Sequence, residues 1–268
     1  MDDMPKKSVL PETIYYTDLL NDEFSPTQIE PISIDKDYRY PHDDPWGKFL
    51  HFLYYRVIGK PIAWLYLKLK FHHKIAGKRK LKPFKHDAIF IYGNHTQDIG
   101  DALMPAFILS PRNINVIVHP NNVSIKGLGH MIRYVGALPL PGDVGASKNF
   151  NDAINKRVQG KQAIVIYPEA HIWPYYTHIR PFVDASFSYP VRYEAPTFCF
   201  TNTYRRRGKS KKVDIVTYID GPFYPKDGLD LAESKKNLRD QVYAAMVERS
   251  YESNFEKIRY KKKKEEGK

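Results

Sequence analysis

An imidazole and two carboxylates share one short stretch, His95, Asp98 and Asp101, with Asn94 before them and Ala102-Leu103-Met104 after. A neutral imidazole, with a pKa of about 6.5, takes a proton from an alcohol as that oxygen attacks a carbonyl, provided its acceptor nitrogen faces outward. A carboxylate on the other ring nitrogen fixes that tautomer. The residue types therefore read as a general base and its orienter. They equally suit plain helix capping, because Asn94, Thr96 and the aspartates are all good N-terminal caps.

The elements around them set the context. Asp87-Ala-Ile-Phe-Ile-Tyr-Gly93 is a strand-like apolar run ending in glycine, and the pattern after Asp101 is helical up to Pro111. His95 thus falls at the carboxyl end of a buried strand, where open α/β sheets hold their substrates. A second such junction follows Gln162-Ala-Ile-Val-Ile-Tyr167 and carries Pro168-Glu169-Ala170-His171. In a parallel sheet both junctions share one edge. Asn115–Val118, Thr197–Phe200 and Val213–Ile219 add strands, and 102–109, 127–136, 149–160 and 229–249 add helices. This alternation predicts an α/β fold: a single mixed, largely parallel sheet with helices on both faces.

The chain has 268 residues, and 42 Lys and Arg against 30 Asp and Glu give a net charge of +12. That balance favours phosphate- or carboxylate-bearing partners such as nucleic acid, an anionic membrane or an acidic carrier protein. Residues 1–44 are acid-rich and aperiodic, an extended or disordered arm in which Tyr15, Tyr16, Leu19 and Leu20 can dock locally, so the basic character belongs to the remainder. The lone Cys199 forms no intrachain disulfide, and the N-terminus shows no signal-peptide pattern. The expectation is a cytoplasmic protein, peripheral on the inner face of the membrane.

Residues 45–67 concentrate aromatic and aliphatic side chains between Lys48, Arg56 and Lys60, and Gly59-Lys60-Pro61 is expected to split them into two short amphipathic helices. Trp and Tyr beside Lys and Arg suit the bilayer interface, and packing on the domain's own core is the alternative. From Leu67 to Ile75 apolar residues alternate with Lys68, Lys70, His72 and Lys74, which reads as a strand with one charged face. The resulting division is 1–44 arm, 45–67 membrane-seating helices, 68–250 α/β domain and 251–268 basic tail.

The order Asn94-His95, an aspartate, a helix between Gly129 and Gly136, Gly136-Ala-Leu-Pro-Leu140, then Tyr167-Pro168-Glu169 resembles the glycerolipid acyltransferases of the 1-acylglycerol-3-phosphate acyltransferase (PlsC-like) family. The resemblance spans roughly residues 45–220. It implies a fatty acyl transfer from a coenzyme A or acyl carrier protein thioester to a lysophospholipid or related alcohol. No cofactor beyond the thioester co-substrate is implied, no metal and no nucleic acid. His95 corresponds to the family's base, Asn94, Pro168, Gly129 and Gly136 to supporting positions, and Glu169 to a substrate-binding one. Two departures stand out. Gly100 occupies the family's aspartate position, so Asp101, one residue later and directly before the helix, is the expected orienter, with Asp98 a cap. The arginines that hold the acceptor phosphate are absent after Leu140 and after Glu169, which leaves Lys148, His171, His178 and Arg180 as candidate substitutes. A non-catalytic basic protein on the same fold, contacting anionic lipid or nucleic acid, is the competing reading. Metal-dependent hydrolysis by His95, Asp98, Asp101 and His171 lacks recognised ligand spacing.

Overall fold

The computed structural model describes residues 11–25, 29–40, 45–210 and 212–263. After β1 (Glu12–Tyr16) comes an uninterrupted helical rod: α1 (Pro45–His51), a π-helical stretch Phe52–Gly59, and α2 (Lys60–Phe71). The break expected at Gly59-Lys60-Pro61 does not occur. Pro61 stands in the first turn of α2, and the Lys60 N–H bonds Tyr55 O in the wide i→i+5 register that a π-turn provides. A β-carbon on Gly59 would lie 2.9 Å from the Tyr54 carbonyl oxygen, so glycine lets that turn close.

The strand expected from Leu67 is also corrected. Ala63, Leu67 and Phe71, spaced at helical i, i+4 intervals, are buried, whereas Leu69 is 68% exposed. One helical face thus enters the core, and the lysines between only mimic a two-residue period. The helix ends at His72, whose φ of 44° is left-handed. Only β2 (Lys74–Ala76) of that segment is extended.

The chain then runs through β3 (Ile89–Gly93), α3 (Asp98–Ile108), β4 (Ile114–Val118), α4 (Gly129–Tyr134), β5 (Ala137–Pro139), α5 (Val144–Gln159) and β6 (Ala163–Ile166). It closes with α6 (Ser188–Arg192), β7 (Thr197–Arg206), β8 (Val213–Phe223), α7 (Leu231–Ser250) and β9 (Ile258–Lys262). α5 starts ahead of the expected Asn149 because Asp143 caps it, its carboxylate accepting the Ala146 N–H at 2.8 Å.

Seven strands form one sheet in the order β2-β8-β7-β3-β6-β4-β5, parallel throughout except at the β7–β8 hairpin. β3 lies at its centre with every residue buried, as a strand covered on both sides requires. Ile89 and Ile91 pack with α2 and α3 on one face; Phe90 and Tyr92 pack with α5 and α7 on the other. The fold is therefore the mixed, largely parallel α/β sheet expected, covered on both faces.

Parts of the arm and of the tail pair with each other. β1 and β9 form a small parallel sheet, and Tyr16, Phe24 and Tyr260 surround the Trp173 ring at centroid distances of 4.9–5.1 Å for its direct neighbours. Such aromatic contacts hold both segments against the loop that carries Trp173. Residues 1–10, 26–28, 41–44 and 264–268 of the expected arm and tail lie outside the described residues. Among the described residues no helix is long and apolar enough to cross a membrane.

Candidate active site

β3 delivers the chain to the carboxyl edge of the sheet, and the loop 94–97 crosses that edge before α3 begins. The His95 Nδ1–H donates to Asp101 Oδ2 at 2.8 Å, and the same oxygen accepts the Thr96 and Gln97 backbone N–H groups, each at 2.8 Å. A carboxylate can only accept, so it settles the imidazole tautomer and leaves Nε2 as the basic nitrogen. The side chain of His95 is 24% exposed and that of Asp101 only 2%. Burial raises the Asp101 carboxyl above its ordinary range, opposed by the hydrogen bond and charge of His95 and by the two backbone donors. Asp98, the first residue of α3, is exposed and makes no such bond.

The His95 ring stacks on Tyr167 at 4.8 Å, and the Tyr167 hydroxyl donates to Asp101 O at 2.5 Å. The loop's backbone is pinned from three sides. His95 N–H donates to Glu169 Oε2 at 3.0 Å, and His95 O accepts the Trp173 N–H at 3.1 Å. Thr96 O accepts the Tyr175 N–H at 2.9 Å, and Thr96 Oγ1 accepts the Tyr204 hydroxyl at 2.7 Å. Asn94 bridges to β7, accepting the Asn202 N–H at 2.8 Å and donating to Asn202 O at 3.1 Å.

The second junction is built inward. Glu169 Oε1 accepts the Arg180 N–H at 2.8 Å, and the Arg180 guanidinium donates to Glu169 O at 3.1 Å, to Leu19 O at 3.3 Å and to His171 O, while lying 5.0 Å from the Trp173 ring. Burial raises the Glu169 carboxyl, against the pull of Arg180. Both side chains have no exposed surface. In this structure the polar atoms of Glu169 and Arg180, which sequence reading placed toward an acceptor, bond the loop. His171 turns to Glu23 of the arm at 3.1 Å, His178 is exposed, and Lys148 is exposed on α5 with no contact to His95 or Asp101. Pro168 precedes the buried carboxylate. Gly129 and Gly136 serve the backbone: a β-carbon on either would stand 2.2 Å from a carbonyl oxygen, of Val123 and Ile114 respectively, and Gly136 has φ 106°.

Sequence reading missed Asn202, Thr217, His73, Tyr175 and Tyr204. The available signal was a polar side chain inside a buried strand: Asn202 directly follows Thr197-Phe-Cys-Phe-Thr201, and a buried amide demands partners. Among the described residues no group of three or more His, Cys, Asp or Glu side chains converges as a metal site.

The fold is similar to the crystal structure of the 1-acyl-sn-glycerophosphate (LPA) acyltransferase, PlsC, from Thermotoga maritima, with a TM-score of 0.52 over 77% of this chain and 78% of that one, at 16% identity. No protein-family model and no curated protein matches the chain. The likeness is one of fold.

Proposed function

We propose that the protein is an acyltransferase that moves a fatty acyl group from a coenzyme A or acyl carrier protein thioester to the hydroxyl of a lysophospholipid or related alcohol. The observation that carries this reading is the His95–Asp101 pair, on the loop that leaves the central strand of an acyltransferase-like sheet. His95 Nε2 removes the proton of the acceptor hydroxyl as its oxygen attacks the thioester carbonyl. The tetrahedral adduct expels the thiolate, which takes that proton from the imidazolium, and Asp101 stabilises the imidazolium between the two transfers. His95 needs no acyl-enzyme for this.

A membrane surface supplies both amphiphiles. Trp46, Phe49, Phe52, Ile62, Trp64 and Leu69 are exposed along the rod, interleaved with the exposed Lys48, Arg56 and Lys70. Exposed rings beside cations fit a bilayer interface with anionic lipid. Two cations are candidates for the role of the missing arginines: Lys70, whose charge acts on Asp98 and Tyr175, and Lys257, which sits 3.7 Å over the ring of Tyr175, whose N–H holds Thr96. In this reading they, rather than Arg180, meet the acceptor's phosphate.

The test is purified protein with labelled acyl thioesters against a panel of lysolipids and simple alcohols. His95→Ala should lower transfer by about 10² to 10⁴-fold while the protein stays folded. Wild-type protein that binds lipid vesicles but transfers nothing would favour the non-catalytic reading.

A further inference from the structure

A line of buried polar side chains runs from the Asp101 carboxylate to the opposite, antiparallel edge of the sheet. Asp101 Oδ1, the oxygen that His95 does not use, lies 3.4 Å from Asn202 Nδ2 on β7. The Asn202 Oδ1 accepts the Thr217 hydroxyl proton at 2.6 Å from β8, and Thr217 Oγ1 lies 2.7 Å from Nε2 of His73, just before β2. His73 and Thr217 have no exposed surface, and Asn202 and Asp101 are 2% exposed.

The chemistry of the groups fixes the direction of every bond. The carboxylate only accepts, so Asn202 must turn its NH2 toward Asp101 and its carbonyl toward Thr217. Thr217 has one proton, which goes to that carbonyl, so the His73–Thr217 contact requires a proton on His73 Nε2. His73 is then neutral with Nδ1 unprotonated, and Nδ1 is buried without a partner. A second proton there would be a charged donor with nothing to bond, which agrees with a His73 pKa lowered by burial and then by Lys68.

We propose that Asn202 is a positioning residue for the His95–Asp101 pair, and that Thr217, backed by His73, sets which end of the Asn202 amide Asp101 meets. Asp101 is thereby held on both oxygens, by His95 and the loop on one side and by the β7–β8 hairpin on the other. If the amide rotated, its carbonyl would oppose the carboxylate and push it away from His95.

The rate arm of the test rests on the acyltransferase reading; the spectroscopic arm does not. The probe is the proton NMR signal of His95 Nδ1–H, assigned by its absence in His95→Ala and displaced downfield by its carboxylate partner. Wild type and Thr217→Ser, which keeps the hydroxyl, should show the same signal. Thr217→Val, nearly equal in shape, should shift or lose it and lower kcat by about tenfold with KM little changed, as one misdirected buried hydrogen bond predicts. Thr217→Cys, with a weaker donor of similar size, takes the place of Thr217→Val should that variant fail to fold, and should displace the signal in the same direction. An unchanged His95 signal in a folded Thr217→Val or Thr217→Cys protein overturns the proposal, whether or not the wild type transfers acyl groups.

Discussion

The two strand ends that meet at the sheet's carboxyl edge use the same kind of residues for opposite purposes. After β3, Asp101 accepts from His95 Nδ1 and two backbone groups, and the ring's other nitrogen is left basic. After β6, Glu169 and Arg180 are bonded to each other, to His95's own backbone and to nearby carbonyls, with no exposed side-chain surface. One cluster keeps a reactive atom outward and the other turns every charge inward to hold the first in place. What separates the two junctions is exposure: the His95 side chain is 24% exposed, whereas Glu169 and Arg180 have no exposed side-chain surface.

The sharpest way to break this contrast is to remove Arg180. Arg180→Ala leaves the Glu169 carboxylate buried without its cation, and stability should fall by about 3–5 kcal/mol in denaturant titration. Little or no loss would show that the second junction is not the scaffold described. The double variant Glu169→Gln, Arg180→Met should recover part of the loss.

A pH effect comes next. Burial, then the charge of Lys68, lowers the His73 pKa to about 4. The folded protein then stays neutral at His73 where the unfolded chain, titrating at about 6.5, binds a proton, so stability should decline as pH falls from about 6.5 to about 4 and level off below; the full effect is on the order of 3 kcal/mol. His73→Gln, which keeps a donor toward Thr217, should flatten that slope. A slope unchanged in the folded variant would place the acid sensitivity elsewhere.

Within the first junction, Asp101→Asn and Asp98→Asn keep shape and remove charge. The Asp101 variant should lose at least about tenfold more transfer rate, or roughly 1.4 kcal/mol in barrier. Equal losses would mean that the exposed Asp98 also supports the imidazolium. Smallest in expected effect is the rod: replacing the exposed Lys48 should weaken flotation with anionic vesicles by roughly 1 kcal/mol, with less difference at high salt. Salt-independent flotation would point to the aromatic residues alone.

The sequence made the first junction legible because local chemistry dictates it. An apolar run ending in Gly93, a histidine and an aspartate at the start of a helix need few long-range partners to be recognised. The rod was misread for a definable reason: Leu67, Leu69 and Phe71 carry both a two-residue and a helical period, and only burial of Leu67 with Phe71, but not Leu69, separates them. Pro61 misled in the same way, because a π-turn absorbs it without ending the helix. The inward turn of Arg180 is set by Glu169 and His171 on its own loop together with Leu19 of the arm, and the contribution of Asn202, Thr217 and His73 depends on contacts that reach across the chain to Asp101 and between strands. No periodicity announces such contacts. A buried asparagine within a strand is the sole local sign of them.

The most direct test of the account compares His95→Ala with Arg180→Ala in two measurements on each protein: single-turnover acyl transfer from a labelled thioester, and unfolding in denaturant. The account predicts that His95→Ala loses transfer by about 10² to 10⁴-fold with stability near wild type, while Arg180→Ala loses stability first and transfer only as far as the loop is loosened. Near-full transfer by folded His95→Ala would contradict it.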